Sequence, residues 1–254
     1  MTEAAVCEIC GGSGWKIVDK DGLEAAERCE CLARERAGRL LEAANIPPLY
    51  GNSGFDNFAT PQDNPVTARI LKEAQTTAAS YAREYMPGMK RPGLLLAGPP
   101  GTGKTHLAVA VLKRLMARGF QGLFFDYQKL LEQIRAGYDP ASGGSAREAY
   151  KQALECELLL LDDVGAHRIT DWVEDTITSI ITFRCNEKKP IIATTNLRDP
   201  EIGDPPVPSG SGGDVGSRYY LSERIGERAR SRLFEMCRIV STRGVEDYRL
   251  RRMR

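Results

Sequence analysis

Residues 98–105 read Gly-Pro-Pro-Gly-Thr-Gly-Lys-Thr, and this stretch constrains the fold more than any other. The spacing is G-x-x-x-x-G-K-T, the P-loop pattern. Its glycines let backbone N–H groups turn inward around a phosphate chain. Lys104 brings a cation to the β- and γ-phosphates, and the Thr105 hydroxyl can take a place on Mg²⁺. The pattern carries this meaning only between a strand and a helix. Gly93–Ala97 before it is a short apolar run, as in a buried parallel strand. Leu107, Val111, Leu112 and Leu115 recur at helical spacing through His106–Arg118 after it. A chance glycine-rich turn would lack both flanks. Gly98, Pro99, Pro100, Gly101, Thr102, Gly103, Lys104, Thr105 and His106 are therefore the expected nucleotide-binding segment.

A second motif follows at a distance that suits the first. Leu158-Leu-Leu-Leu161 is apolar throughout and runs into Asp162 and Asp163. Parallel sheets bind ligands at strand carboxyl ends. Asp162 fits the carboxylate that holds Mg²⁺, usually through water. Asp163 stands where many such ATPases have Glu and could polarise the attacking water, with a shorter reach. Pro190–Asn196 is a further strand, and Asn196 at its end can hydrogen-bond the γ-phosphate or the lytic water. With runs at 93–97, 123–126 and 238–240, the chain reads as α/β, a five-stranded parallel sheet between helices.

The N-terminal end has another character. Four of the seven cysteines lie at Cys7, Cys10, Cys29 and Cys31. A C-x₂-C knuckle followed by Gly11 lets two thiolates approach one metal, and a second pair across a hairpin completes a tetrahedral Zn²⁺ site. Free thiols or a redox pair are the alternatives; the redox reading lacks a thioredoxin-like βαβ context. An open catalytic metal position is not expected, because no His or carboxylate is placed to make one. The sequence shows no secretory signal and no apolar run long enough to span a bilayer, so a cytoplasmic protein without membrane association is expected. There the cysteines stay reduced, metal-bound or buried.

Three divisions follow: 1–45, a cysteine module for zinc and partner binding; 46–62, an ordered linker; and 63–254, the ATPase domain. Phe58, in the linker, could pack beside an adenine, but ordinary packing is the favoured reading. Residues 204–217 are rich in Pro, Gly and Ser and read as a flexible insertion. Leu221–Met236 reads as one amphipathic helix, with Leu221, Ile225, Ala229 and Leu233 buried. Arg224, Arg228 and Arg232 then form a row that faces phosphate or pairs with Glu223, Glu227 and Glu235. The whole chain carries a net charge of +1. From Arg218 onward, however, eleven arginines face five acids, a surplus of six positive charges suited to nucleotide and DNA phosphates.

The ordered set Gly98–Thr105, Leu158–Asp163, Thr194-Thr-Asn196 and Glu223–Leu233 resembles the AAA+ ATPases of the DnaC/DnaI helicase-loader group, which includes IstB-type transposition helpers. The resemblance covers about residues 50–254. It implies that Asn196 is sensor 1 and that Arg228 is an arginine finger reaching a neighbouring subunit's ATP. It also implies that Arg249 is sensor 2. These join Lys104, Asp162 and Asp163 as the expected catalytic set, with Thr105 and Asp162 on Mg²⁺. The cysteine module is similar to the zinc-binding N-terminal regions of some loaders. The implied function is ATP-dependent loading of a DnaB-type replicative helicase onto single-stranded DNA. ATP binding would drive self-association through nucleotide-bridged interfaces, and hydrolysis would drive release. The alternatives are an IstB-like ATPase that binds duplex DNA and helps a transposase, or a nucleotide-switched binding module with negligible hydrolysis. Two departures stand out: Asp163 in place of Glu, and the length of the 204–217 insertion.

Overall fold

The computed structural model describes residues 7–20, 23–136, 145–203 and 219–251. The 204–217 insertion, most of the polar loop at 137–145 and the basic end after Arg251 lie outside the described residues.

Strands β1 (Trp15–Lys20) and β2 (Leu23–Arg28) form an antiparallel hairpin, with Trp15 opposite Arg28. Helix α1 (Glu30–Ala43) follows, then a single 3₁₀ turn at Pro48–Tyr50. Helix α2 (Pro65–Glu84) starts at a clear cap. The Asn64 side chain accepts the Thr67 N–H at 3.0 Å, and Pro65 occupies the first turn, where no N–H is needed. Leu71, Ala74, Ala78, Tyr81 and Ala82 form its buried stripe.

The main sheet then alternates with helices. Its elements run β3 (Gly93–Ala97), α3 (Lys104–Ala117), β4 (Gly122–Asp126), α4 (Tyr127–Ala136), α5 (Ser145–Glu155), β5 (Leu158–Asp162), α6 (Asp171–Asn186) and β6 (Ile191–Thr195). After these come α7 (Ser222–Ile225), α8 (Glu227–Met236), β7 (Cys237–Ser241) and α9 (Tyr248–Arg251). The spatial order is β4-β5-β6-β3-β7, and every pairing is parallel. Such strands are covered on both faces, which explains their unbroken apolar runs. Leu95, Leu159, Leu161, Ile191 and Ala193 pack into one core with residues of α4, α5, α6 and α8. Leu94, Leu96, Leu158, Leu160 and Ile192 pack into the other with α2 and α3. Burial of one such leucine stabilises the fold by roughly 1.5–3 kcal/mol. The edge strand β4 is tied to the end of α1, because the Phe124 N–H donates to the Ala44 carbonyl at 2.8 Å. No helix among the described residues is long and apolar enough to cross a membrane.

One expected helix is two. The chain breaks at Gly226, with φ 81° and ψ 152°, a conformation that only glycine tolerates. The Glu174 carboxylate packs where a Cβ would stand. Leu221, Ile225, Ala229 and Leu233 are still buried. The break does undo the expected row of three arginines on one helix face: Arg224 lies on α7, whereas Arg228 and Arg232 lie on α8.

Candidate functional site

The carboxyl ends of β3, β5 and β6 open into one cleft of about 710 Å³. The P-loop forms its floor. Gly103 caps α3 in a left-handed conformation, φ 84°, so α3 begins at Lys104 and points its N-terminus into the cleft. Unpaired N–H groups at a helix start favour phosphate. Gly101, Thr102, Gly103, Lys104, Thr105 and His106 line the cleft; Gly98, Pro99 and Pro100 are not in its lining. Pro99 nevertheless shapes the loop, since its carbonyl accepts Lys104 Nζ at 2.6 Å and Thr102 Oγ1 at 2.9 Å. Lys104 is buried, and burial pulls its pKa down to about 8 against the attraction of Asp163. An anion is what this ammonium lacks.

Asp162 is at the end of β5, only 8% exposed. Its Oδ1 accepts two hydroxyls, Thr105 Oγ1 at 2.9 Å and Thr194 Oγ1 at 2.7 Å. Asp163 follows in a left-handed conformation, φ 58°, which aspartate tolerates better than most residues. Its N–H donates to Thr194 Oγ1 at 2.8 Å, and its Oδ1 accepts Asn196 Nδ2 at 2.5 Å. Burial raises both carboxyl pKa values, and each is raised further by neighbouring acids, among them Asp126 at the end of β4. Crowded acids beside one hydroxyl suit a cation. Thr105 and Asp162, already in contact, are the residues that fit Mg²⁺.

The wall opposite comes from residues 49–61. Leu49, Tyr50, Ser53, Asn57 and Phe58 line it. His106 Nε2 pairs with the Gly54 carbonyl at 2.8 Å, and the Phe58 ring meets the His106 ring edge-on at 5.4 Å between centroids. Lys113 Nζ and Gln75 Nε2 bond the Gly51 and Phe55 carbonyls at 2.7 and 2.6 Å. Phe58 thus packs on the P-loop helix and also faces the cleft. Arg249 lines the cleft from the C-terminal side, with its N–H on Asp247 Oδ1 at 2.9 Å. That segment is stitched to the P-loop: Tyr248 N–H donates to the Gly101 carbonyl at 3.1 Å, and the Thr242 and Thr102 hydroxyls meet at 2.7 Å.

Arg228 is not in the cleft. Its neighbours are each engaged: Arg224 stacks on Tyr219 at 3.9 Å, Arg230 pairs with Asp199 at 2.6 Å, and Arg232 pairs with Glu235 at 2.7 Å. Arg228 is exposed in the first turn of α8 and has no hydrogen bond or ion pair among the described residues. A cation at the positive end of a helix is disfavoured, so nothing within the described chain rewards it there.

The four expected cysteines converge. Their Sγ atoms all lie within 4.8 Å of one another, with Cys7–Cys29 at 3.8 Å and Cys10–Cys31 at 3.4 Å. A tetrahedron with Zn–S bonds of about 2.3 Å spaces its sulfurs about 3.8 Å apart, so the cluster could hold zinc. Backbone bonds from Gly11 N–H to Cys7 O and from Cys29 N–H to Gly14 O, both 2.8 Å, fix the knuckle. Desolvation opposes ionisation of Cys10, but the Gly14 and Gly12 backbone and the neighbouring thiols bring its pKa down to about 6.

Residues 30–202 match the family described as IstB-like ATP binding protein. The chain belongs to that family. It is 28% identical over 250 residues to the uncharacterized protein YqaM of Bacillus subtilis strain 168, covering 94% of this chain and 68% of the relative. It is 27% identical over 185 residues to the replicative helicase loader DnaC of Escherichia coli K12, covering 70% of this chain and 71% of the relative. A crystal structure of the DnaC helicase loader superposes with a TM-score of 0.60 at 30% identity, over 77% of this chain and 99% of the other. The fold is thus that of an AAA+ P-loop ATPase, and ATP is the nucleotide of its family. The family match starts at the first residue of α1, so most of the cysteine cluster precedes it, and Arg228 and Arg249 follow it.

The sequence reading assigns no role to Thr194, Asp126 or Asp247, although Thr194 lies in the Thr194-Thr-Asn196 stretch. Thr194 had a usable signal, a hydroxyl two residues before the strand-end amide. Asp126 ends a strand just as Asp162 does. Asp247 had none, because its place against the P-loop depends on β7.

Proposed function

We propose that the chain is an ATP-dependent loader of a DnaB-type replicative helicase onto single-stranded DNA. The observation that carries this reading is the division of its arginines: Arg249 lines the chain's own cleft, whereas Arg228 is exposed and unengaged among the described residues. Such an arrangement makes hydrolysis depend on subunit contact. The P-loop amides and Lys104 hold the β- and γ-phosphates. Thr105 and Asp162 would hold Mg²⁺, which would neutralise charge on the phosphate oxygens. Asp163, oriented by Asn196, accepts a proton from the attacking water. Asn196 also senses the γ-phosphate, and Arg249 holds the phosphates from the other side. Arg228 of a neighbouring copy stabilises charge on the transferring phosphoryl group. ATP then favours the assembled, DNA-bound state, and hydrolysis releases it. DNA is contacted through backbone phosphates by the basic C-terminal part.

Residues 1–45, with zinc at Cys7, Cys10, Cys29 and Cys31, contact the helicase. Residues 63–254 form the ATPase domain, and 46–62 join the two while walling the cleft. Similarity to a named helicase loader supports this reading over that of a transposase helper. The test is ATP turnover by the wild type and by Asp163→Asn, each with single-stranded DNA and the helicase. We expect at least a hundredfold loss in the variant with ATP binding retained. Equal rates in the two proteins would leave only a nucleotide-switched binder.

A further inference from the structure

Asp199 lies three residues beyond Asn196, and it is fully buried. Its carboxylate takes both arms of Arg230: Nε on Oδ2 at 2.6 Å and Nη2 on Oδ1 at 2.7 Å. This is the forked, two-bond pairing that fixes direction as well as distance. Oδ1 also accepts the Glu201 N–H at 3.0 Å, so the carboxylate is itself held by the backbone. The Arg230 guanidinium lies over the Phe234 ring, 4.8 Å from its centroid. Arg230 is thus immobilised on both sides. It stands on α8, two residues after Arg228.

The same two segments meet a second time. Arg198 N–H donates to the Tyr219 carbonyl at 3.4 Å, and Leu221 N–H donates to the Arg198 carbonyl at 2.9 Å. Leu221 leads into α7, Gly226 and α8. Residues 196–199 at the end of β6 are therefore bound to the start of α7 by backbone and to α8 by the ion pair. Between these attachments lies Gly226, where the chain turns from α7 into α8; Ala229, Leu233 and Met236 bury one face of α8, and the ion pair adds a directional tie close to its exposed first turn. A long, exposed arginine next to a glycine break needs such an anchor to present its guanidinium at one place.

We propose that Asp199 and Arg230 are positioning residues for Arg228. Their ion pair fixes the first turn of α8 relative to the strand end that bears Asn196, so that each subunit's own γ-phosphate contact sets the arginine it offers to its neighbour. The proposal rests on the reading of Arg228 as an arginine that acts in trans. A forked pair on a buried carboxylate loses more when the cation is removed than it contributes over an apolar pair, because the carboxylate is left uncompensated, which suits a role in specifying geometry.

The test uses full-length variants and their mixtures at equal total concentration, with ATP turnover and nucleotide affinity both measured. Arg230→Met is expected to lose at least tenfold in turnover while its own ATP affinity stays within twofold. Mixed with Lys104→Ala, which offers Arg228 but binds ATP roughly tenfold to a hundredfold more weakly, it should regain activity at ATP levels that fill only the Arg230→Met subunits. Mixed with Arg228→Ala, it should regain none, since both lack a competent donor. Arg230→Lys, which keeps the charge and one hydrogen bond, should recover much of the rate. Should Arg230→Met fail to fold, Asp199→Asn in the same mixtures gives the same readout. Wild-type turnover by these variants, or a loss that Lys104→Ala subunits do not restore, overturns the proposal. The control is Arg228→Ala mixed with Lys104→Ala. No activity there removes the trans reading itself, and the proposal falls through Arg228 rather than through the ion pair.

Discussion

Strands β5 and β1 are both short, yet Leu158–Leu161 are at most 1% exposed whereas Ile17 is 74% exposed. The five-stranded sheet is covered by helices on both faces, and its carboxyl ends carry the cleft. The hairpin has exposed Trp15, Ile17 and Leu23, and the feature that gathers its ends is the four-cysteine cluster. A two-stranded hairpin is marginal alone in water. Apolar burial thus holds the nucleotide site, whereas the hairpin has little of it and is gathered by four cysteines that could hold zinc. The two can be perturbed separately.

Removal of metal should have the largest effect. Structural zinc supplies on the order of 10 kcal/mol to small modules. Chelation with a zinc-selective agent that leaves Mg²⁺ in place, or Cys10→Ser, should abolish amide-exchange protection over residues 15–28 while ATP affinity stays within about twofold. Loss of ATP binding on chelation would show that the cleft leans on the module. Leu160→Ala should come next, at roughly 2–5 kcal/mol of core stability. The midpoint of urea unfolding should fall with zinc content unchanged. A third, smaller effect belongs to Lys104→Ala. A lost charge-assisted contact is worth about 1.5–3 kcal/mol, so ATP affinity measured by calorimetry should drop roughly tenfold to a hundredfold. Zinc content and the unfolding midpoint should hold. Ile17→Ser should be the least disruptive, within about 0.5 kcal/mol as for ordinary surface changes. A larger loss would mean that the hairpin face is covered in solution.

The sheet was readable because strands buried on both faces leave unbroken apolar runs, as in Leu158–Leu161. The P-loop was readable because phosphate binding fixes both residue types and spacing. The cysteine cluster was readable for the same reason, through ligand spacing. Legibility stops where a role depends on a distant partner. Arg184 sits on α6 and is fully buried, with bonds to the Ala153, Leu154, Cys156 and Pro190 carbonyls; helical periodicity cannot foresee that. The break at Gly226 was hidden because Leu221, Ile225, Ala229 and Leu233 keep a four-residue period across it. Phe58 does pack on the main domain, against His106, as its sequence reading favours; that it also lines the cleft depends on how residues 49–61 lie over the P-loop helix.

On the proposed function, ATP in this cleft governs capture of a replicative helicase. The direct measurement is co-elution of the full-length protein with the host's replicative helicase, with ATP and without, alongside Lys104→Ala. The expected result is a complex that forms with ATP and is weakened both by omitting ATP and in the variant. No complex under any condition, together with tight binding of duplex DNA, would contradict it and point to a transposase helper.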